Sequence, residues 1–318
     1  MHRNERNDSA VVIDKGIHVA GHLRTVATSS TLGVVTITPS LVGIVGSGIM
    51  AGGIAEVVAR GGIRAVLRAR TEESATQALK HVASGLARQV DKGKLTATER
   101  DRILGNIGTT TELSELADCD IVIESVVEDL YTKQQLFRDL DVITKPSALL
   151  ATNTSTLAVV EMARVVARPE RVCGIHFFNP APVLPLVEVV RPITASDDTI
   201  DRALAFVKAV GKDGVRVLDR AGFIVNALLF PYLNNAVRML EDGTASMQDI
   251  DTAMKGGCNF PMGPFALLDL VGLDTSLAIL ETLHEAFGDA NFAPRPMLRS
   301  LVAQGKLGRK TKAGFYVY

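Results

Sequence analysis

Apolar positions along this chain switch between two spacings, and the switching predicts its elements. Residues 41–45 form a continuous apolar run with the length and β-branched content of a buried strand, and residues 49–59 then carry apolar side chains at helical intervals. The same alternation predicts strands at 63–67, 120–124, 148–152, 171–178, 186–190 and 215–218. Helices are predicted between them at 72–93, 129–143 and 197–210, with a short one announced by a Thr96-to-Glu99 capping box. From Gly222 onward helical spacing dominates: 223–240 with a kink near Pro231, then 246–255, 264–271, 275–287 and 296–303. Strands and helices alternating this often predict an α/β fold, a doubly wound parallel sheet followed by an all-helical C-terminal domain. The expected boundary is at Arg220–Ala221, giving domains 39–220 and 221–318. Residues 1–38, polar at first and then rich in Ser and Thr, read as an N-terminal extension.

The first strand and helix are joined by GSGIMA, a G-x-G-x-x-A turn. Gly46 permits the tight turn, Gly48 lets the backbone approach a pyrophosphate, and Ile49 and Met50 open the helix whose free N–H groups receive its charge. Ala51, the third small position, still allows close helix–strand packing. The strand–turn–helix context marks a Rossmann-type dinucleotide site. In such units an acid about 20 residues past the turn receives the ribose 2′-hydroxyl of NAD, whereas Arg suits a 2′-phosphate. Here the second strand ends Arg68-Ala69-Arg70, and the first acid is Glu72. NADP(H) is therefore favoured, with NAD(H) as the alternative and a solvated arginine pair as the plain reading.

A formal net charge of −1 over 318 residues excludes general attraction to nucleic acid or to anionic membranes, so anion recognition must be local. No apolar run reaches the roughly 18 residues of a membrane span, and the N-terminus lacks a signal pattern. The three cysteines lie far apart without C-x-x-C spacing, the usage of buried reduced thiols in a cytoplasmic protein and not of disulfides or a metal site. The one basic cluster with a candidate purpose is Arg88, Lys92 and Lys94, either complementing a helix end or receiving a phosphate-rich substrate tail. The helical part carries more apolar residues than a small bundle hides, which predicts a homodimer interface there.

Candidate chemistry gathers at strand ends. Glu128, Lys133, Asn153 and Ser155 fall at the C-terminal edge of the predicted sheet, where ligands of such folds sit. His176 on a strand is ordinarily a packed core residue, but the fold-back of 171–178 and 186–190 at Asn179-Pro180 places Glu188 within reach of it. A carboxylate that fixes the imidazole tautomer makes a proton-exchange pair beside a nicotinamide. Ser155 reads either as a helix cap or as a donor to a polarised carbonyl oxygen; Asn226 is a second such donor. His81 and His284 have structural settings only.

Seven stretches, GSGIMAGGIA, DIVIESVVED, NTSTL, HFFNPAPVLPLVEVV, GFIVN, PMGPFALLDLVGLD and GRKTKAGFYVY, occur in an order that resembles the 3-hydroxyacyl-CoA dehydrogenase family, nearest to its short-chain 3-hydroxybutyryl-CoA members. The resemblance implies reversible oxidation of a short (3S)-3-hydroxyacyl-CoA, with Ser155, His176, Glu188 and Asn226 as catalytic residues. It also implies that Glu128, Lys133, Asn179 and Lys310 lie by the cofactor and that Arg88 and Lys92 meet the coenzyme A moiety. Ala69 departs from the aspartate expected of an NAD-binding member, Ala51 from a glycine and Ala221 from a proline. A dehydrogenase of a free hydroxy acid, or a non-catalytic dinucleotide-binding scaffold, are the rival readings.

Overall fold

The computed structural model describes residues 39–318. The expected N-terminal extension, residues 1–38, lies outside them. The strands are β1 (Leu41–Val45), β2 (Arg64–Arg68), β3 (Ile107–Thr110), β4 (Ile121–Glu124), β5 (Leu149–Thr152), β6 (Val172–Phe177), β7 (Leu186–Arg191) and β8 (Asp213–Leu218). They form one sheet ordered β3-β2-β1-β4-β5-β6-β7-β8. Six strands are parallel, but β7 runs antiparallel to β6, and β8 runs with β7. The expected doubly wound parallel sheet is present, and the expected fold-back of 171–178 on 186–190 is its one antiparallel pairing. Residues 178–185 are too few for a crossover, which takes a dozen or more, so the chain reverses at Asn179-Pro180.

Helices α1 (Ile49–Arg60), α2 (Glu72–Asp91), α3 (Ala97–Gly105), α4 (Leu130–Ile143), α5 (Val159–Ala163) and α6 (Asp197–Ala209) flank the sheet. The capping box at Thr96 and Glu99 starts α3 as its sequence requires. The strands alternate between two apolar layers. Val42 and Ile44 of β1, Ile121 and Ile123 of β4, and Val187 and Val189 of β7 join one cluster with Ile54, Val58, Leu86 and Phe206 from the helices. Val45, Val122 and Val190 point the other way, to Phe137, Leu140 and Met162 of α4 and α5. Period-two alternation inside continuous apolar runs is what a sheet covered on both faces demands.

The remaining helices, α7 (Val225–Glu241), α8 (Met247–Cys258), α9 (Pro264–Val271), α10 (Leu273–Phe287) and α11 (Pro296–Ala303), share a third core around Phe230, Leu233, Phe265, Leu280 and Leu298. α7 is assigned as one helix with Pro231 inside it. Two buried aspartates close this core. Asp251 accepts from the backbone N–H groups of Phe265 and Ala266 and from the Tyr316 hydroxyl, and Asp269 accepts from the N–H groups of Phe315 and Tyr316. The PMGPF and GFYVY stretches are therefore structural partners, each holding one end of the same carboxylate system.

Among the described residues no helix is long and apolar enough to cross a membrane, and no cluster of His, Cys, Asp and Glu is built to hold a metal ion. Cys119 and Cys173 are buried, and burial pushes both thiols up to about 12. Cys258 is exposed, a correction to the expectation that all three are buried.

Candidate active site

At Gly46 φ is 138°, and a Cβ there would collide with the carbonyl oxygen of Ser125, so no side chain fits the turn. The Gly46 N–H is tied to the Arg68 carbonyl at 2.9 Å, which joins the turn to the end of β2. Gly48 is the N-cap of α1, and the space where its Cβ would stand is empty to 4 Å. The first turn of α1 has no acidic residue, leaving its N–H groups open to an anion. A cavity of about 1070 Å³ opens over this turn, lined by Gly46, Gly48, Ile49 and Met50. Its size, open backbone N–H groups and side-chain-free approach fit a dinucleotide.

Arg68 and Arg70 line the same cavity, while Ala69 between them is turned inward and 1% exposed. Arg68 spends its Nε on the Thr111 carbonyl at 3.0 Å, which aims the rest of the guanidinium. Arg70 is exposed.

The strand reversal sets His176 directly opposite Glu188 in the β6–β7 register. Nδ1 of His176 lies 2.8 Å from Glu188 Oε2, and both side chains are buried. A carboxylate partner makes Nδ1 the donor, so Nε2 carries the free lone pair. That nitrogen is 2.9 Å from Ser155 Oγ. Ser155 does not cap a helix: the N-cap of α5 is Ala158, and the Asp219 carboxylate supplies the missing cap to the N–H groups of Val159 and Val160. The rings of Phe178 and Phe223 flank the imidazole at centroid distances of 4.6 and 5.4 Å.

Below Ser155 lies an ionic cluster in which Lys133 and Glu124 are buried and Glu128 opens to the surface. Lys133, 1% exposed, donates to Glu124 at 2.6 Å and lies 3.1 Å from Glu128. Glu128 accepts from the hydroxyls of Thr154 and Thr156 and from the N–H of Ser155 at 3.2 Å. Burial favours the neutral form of Glu128, but Lys133 and these donors outweigh it and hold the carboxyl below its ordinary range. Glu128 and Lys133 do line the large cavity, as does Asn153, whose side-chain oxygen accepts from the Phe177 N–H at 2.8 Å. The ammonium of Lys133 is committed to the two carboxylates. Sequence reading passed over Glu124, which reads as a plain strand end, and Phe223, which reads as helix core.

A second cavity of about 530 Å³ shares Ser47, Gly48 and Ile49 with the first. Arg88 and Lys92 line it, both exposed. His81 lines it too; His284 stays local, donating to the Asp289 carbonyl. Asn179, expected beside the cofactor, lines this second cavity and not the first. Lys310 lines neither cavity; it is ion-paired with Asp274, which does line the first. Asn226 is buried in the first turn of α7, and its amide makes no hydrogen bond among the described residues.

Two family models match the chain: "3-hydroxyacyl-CoA dehydrogenase, NAD binding domain" over residues 41–220, and the "C-terminal domain" of the same family over 222–318. A 3-hydroxybutyryl-CoA dehydrogenase of Mycobacterium tuberculosis is 46% identical over 279 residues, covering 87% of this chain and 98% of the relative. Its counterpart in Clostridioides difficile is 42% identical over 275 residues, 86% and 98% of the two chains. Among solved structures, FadB2 of M. tuberculosis superposes with a TM-score of 0.87 at 44% identity, covering 89% of this chain and 100% of that one. The (S)-3-hydroxybutyryl-CoA dehydrogenase PaaH1 of Ralstonia eutropha gives 0.85 at 40%, covering 88% and 99%. With both domains matched in order and an imidazole–carboxylate pair behind Ser155 at a cavity that fits a dinucleotide, the chain belongs to the 3-hydroxyacyl-CoA dehydrogenase family of nicotinamide-dependent oxidoreductases.

Proposed function

We propose that this enzyme interconverts a short-chain (3S)-3-hydroxyacyl-CoA, such as 3-hydroxybutyryl-CoA, with its 3-oxo form, and that it favours NADP(H) over NAD(H). The observation that carries the proposal is the His176 imidazole, held by Glu188 on one nitrogen and facing with the other Ser155, which lines the large cavity. When bound, the dinucleotide supplies the hydride acceptor or donor. In the oxidation direction Nε2 of His176 takes the proton of the C3 hydroxyl, while Glu188 stabilises the charge that the imidazole gains. Ser155 and the unpaired amide of Asn226 orient the substrate oxygen and the thioester end. Gly46, Gly48, Ile49 and Met50 hold the pyrophosphate by backbone contact, and Arg68 with Arg70 receives a 2′-phosphate. Arg88 and Lys92 in the second cavity attract the phosphates of the acyl-CoA.

The chain divides at Arg220–Ala221, between the end of β8 and the start of α7. A homodimer forms through the helical domain, where Leu228 is 71% and Leu270 50% exposed. The enzyme works in the cytoplasm, in keeping with its free cysteines.

Initial rates of acetoacetyl-CoA reduction with NADPH and with NADH, followed by absorbance of the reduced nicotinamide, test the proposal. Fast turnover with NADPH alone is expected. Preference for NADH removes the role given to the arginines and leaves the reaction standing. Equal rates on free acetoacetate remove the role given to Arg88 and Lys92. His176→Gln is expected to cut turnover by at least ~100-fold with the thermal transition unchanged; a near-native rate in that variant eliminates His176 as the acid–base residue.

A further inference from the structure

The helix α7 starts without a capping residue of its own. Its sequence opens GFIVN, its N-cap position is Ile224, and no side chain of the segment caps it. A helix start buried without partners for its first N–H groups is unstable. The partner comes from the sheet: Glu188 Oε1 accepts from the N–H groups of Ile224 and Val225, each at 3.0 Å. Its other oxygen is the one that faces His176. One fully buried carboxylate thus divides its two oxygens between the imidazole and the entrance of the helical segment.

The direction of those two N–H groups is set just upstream. Gly222 has φ of 75° and Phe223 φ of 51°, two successive residues in the left-handed region. Glycine enters that region freely; phenylalanine does not, and its presence there is over-determined by its surroundings. A side chain at Gly222 would stand 2.6 Å from Leu283 of α10 and 3.0 Å from the Ala227 N–H, which itself bonds the Gly222 carbonyl. The Phe223 ring is only 8% exposed and sits edge-on to His176. The turn is therefore locked into the helical segment on one side and against the imidazole on the other.

We propose that the left-handed turn at Gly222 and Phe223 is the positioning element of the His176–Glu188 pair. By aiming two N–H groups at Oε1, it fixes the rotation of the Glu188 carboxylate so that Oε2 faces Nδ1. The seating of α7 then governs how well the imidazole is oriented. Phe223 is a positioning residue: its backbone acts through Glu188, and its ring packs edge-on to the imidazole without taking part in the proton transfer. The inference rests on the acid–base reading of His176 given above.

Four substitutions at one position separate backbone from bulk: Phe223→Gly, Phe223→Asn, Phe223→Ala and Phe223→Val. All four delete the ring, so all lose its contact with His176. They differ in access to positive φ, which is easiest for Gly and Asn, harder for Ala and hardest for β-branched Val. The expected order of kcat is Gly and Asn above Ala, and Ala above Val. The ends should lie at least ~10-fold apart, the range typical of residues that orient a working imidazole, while the KM of the dinucleotide stays constant. Equal kcat in all four, or an order that rises with side-chain volume, overturns the proposal. Should Phe223→Val not fold, Gly and Asn against Ala still decide. His176→Gln is measured alongside: full activity there refutes the acid–base reading itself, whereas an inactive His176→Gln with a volume-ordered series refutes only the positioning role.

Discussion

Ala69 is the residue on which the proposed preference for NADP(H) turns, because a buried methyl stands at the end of β2, where a carboxylate would repel a 2′-phosphate. Arg70, exposed at the lip of the large cavity, has no ion-pair partner among the described residues, so its charge is free for a ligand. Exchanging Arg70 for Asp should raise the KM for NADPH by about 10- to 100-fold, the worth of one or two charge-assisted bonds, and leave the KM for NADH nearly as it was. Equal changes for both cofactors would assign Arg70 to general electrostatics. At this scale the sequence was partly legible. His176 and Glu188 are twelve positions apart, and only the strand reversal at Asn179-Pro180, announced by the prolines, brings them opposite one another. The ionic cluster was not legible as such. Glu124 and Lys133 lie nine residues apart, where Glu124 alone reads as a strand end and Lys133 as a ligand contact at the sheet edge; only the packing of α4 on the sheet shows that they are buried together.

Elements with enough residues to display a period were readable to within a residue or two at most ends. The helices α9 and α11 run as the spacing predicts, whereas α2 stops at Asp91, short of the expected end. β3 and α5 escaped because four or five residues carry too little periodicity, and the Ile-Gly-Thr-Thr of β3 alternates nothing. β3 exists because its backbone completes the ladder along β2, from Ala65 opposite Ile107 to Arg68 opposite Thr110. The capping box of α3 shows the opposite case, local chemistry strong enough to be read directly. The Glu99 carboxylate accepts from the Thr96 N–H at 2.9 Å, and Thr96 Oγ1 accepts from the Glu99 N–H at 3.2 Å. Thr96→Ala should cost about 1 kcal/mol in a denaturant titration, with the slope unchanged. No measurable loss would mean that packing against α2 alone holds α3.

The molecule as a whole is a two-faced sheet whose last strand leads into a helical core, an order that the change of period at Gly222 made visible. The chain is tied at its first described strand by Asp120. That carboxylate accepts from the Ser40 N–H at 2.7 Å and from the Leu41 N–H, and pairs with Lys145 at 2.6 Å. Burial works against its charge, but Lys145 and the Ser40 and Leu41 donors prevail and bring it down to about 2. A depressed carboxyl stabilises the fold fully above its unfolded value of about 4, and that contribution fades as pH falls from there through about 2. The thermal transition of Asp120→Asn should therefore lie below native at neutral pH, and the gap should close across that acid window. A gap constant with pH would sever the link. Ser47, Gly48 and Ile49 face both cavities, so the partition between them is a single stretch of backbone. If the proposed ligands occupy the two sides, such a partition would act as a thermodynamic balance: whatever a dinucleotide on one side did to the other, linkage would require to be mutual. Coenzyme A should accordingly bind with different dissociation constants in the presence and absence of NADP+, and the same factor should appear when the titration is reversed. Unchanged constants would make the two cavities independent compartments.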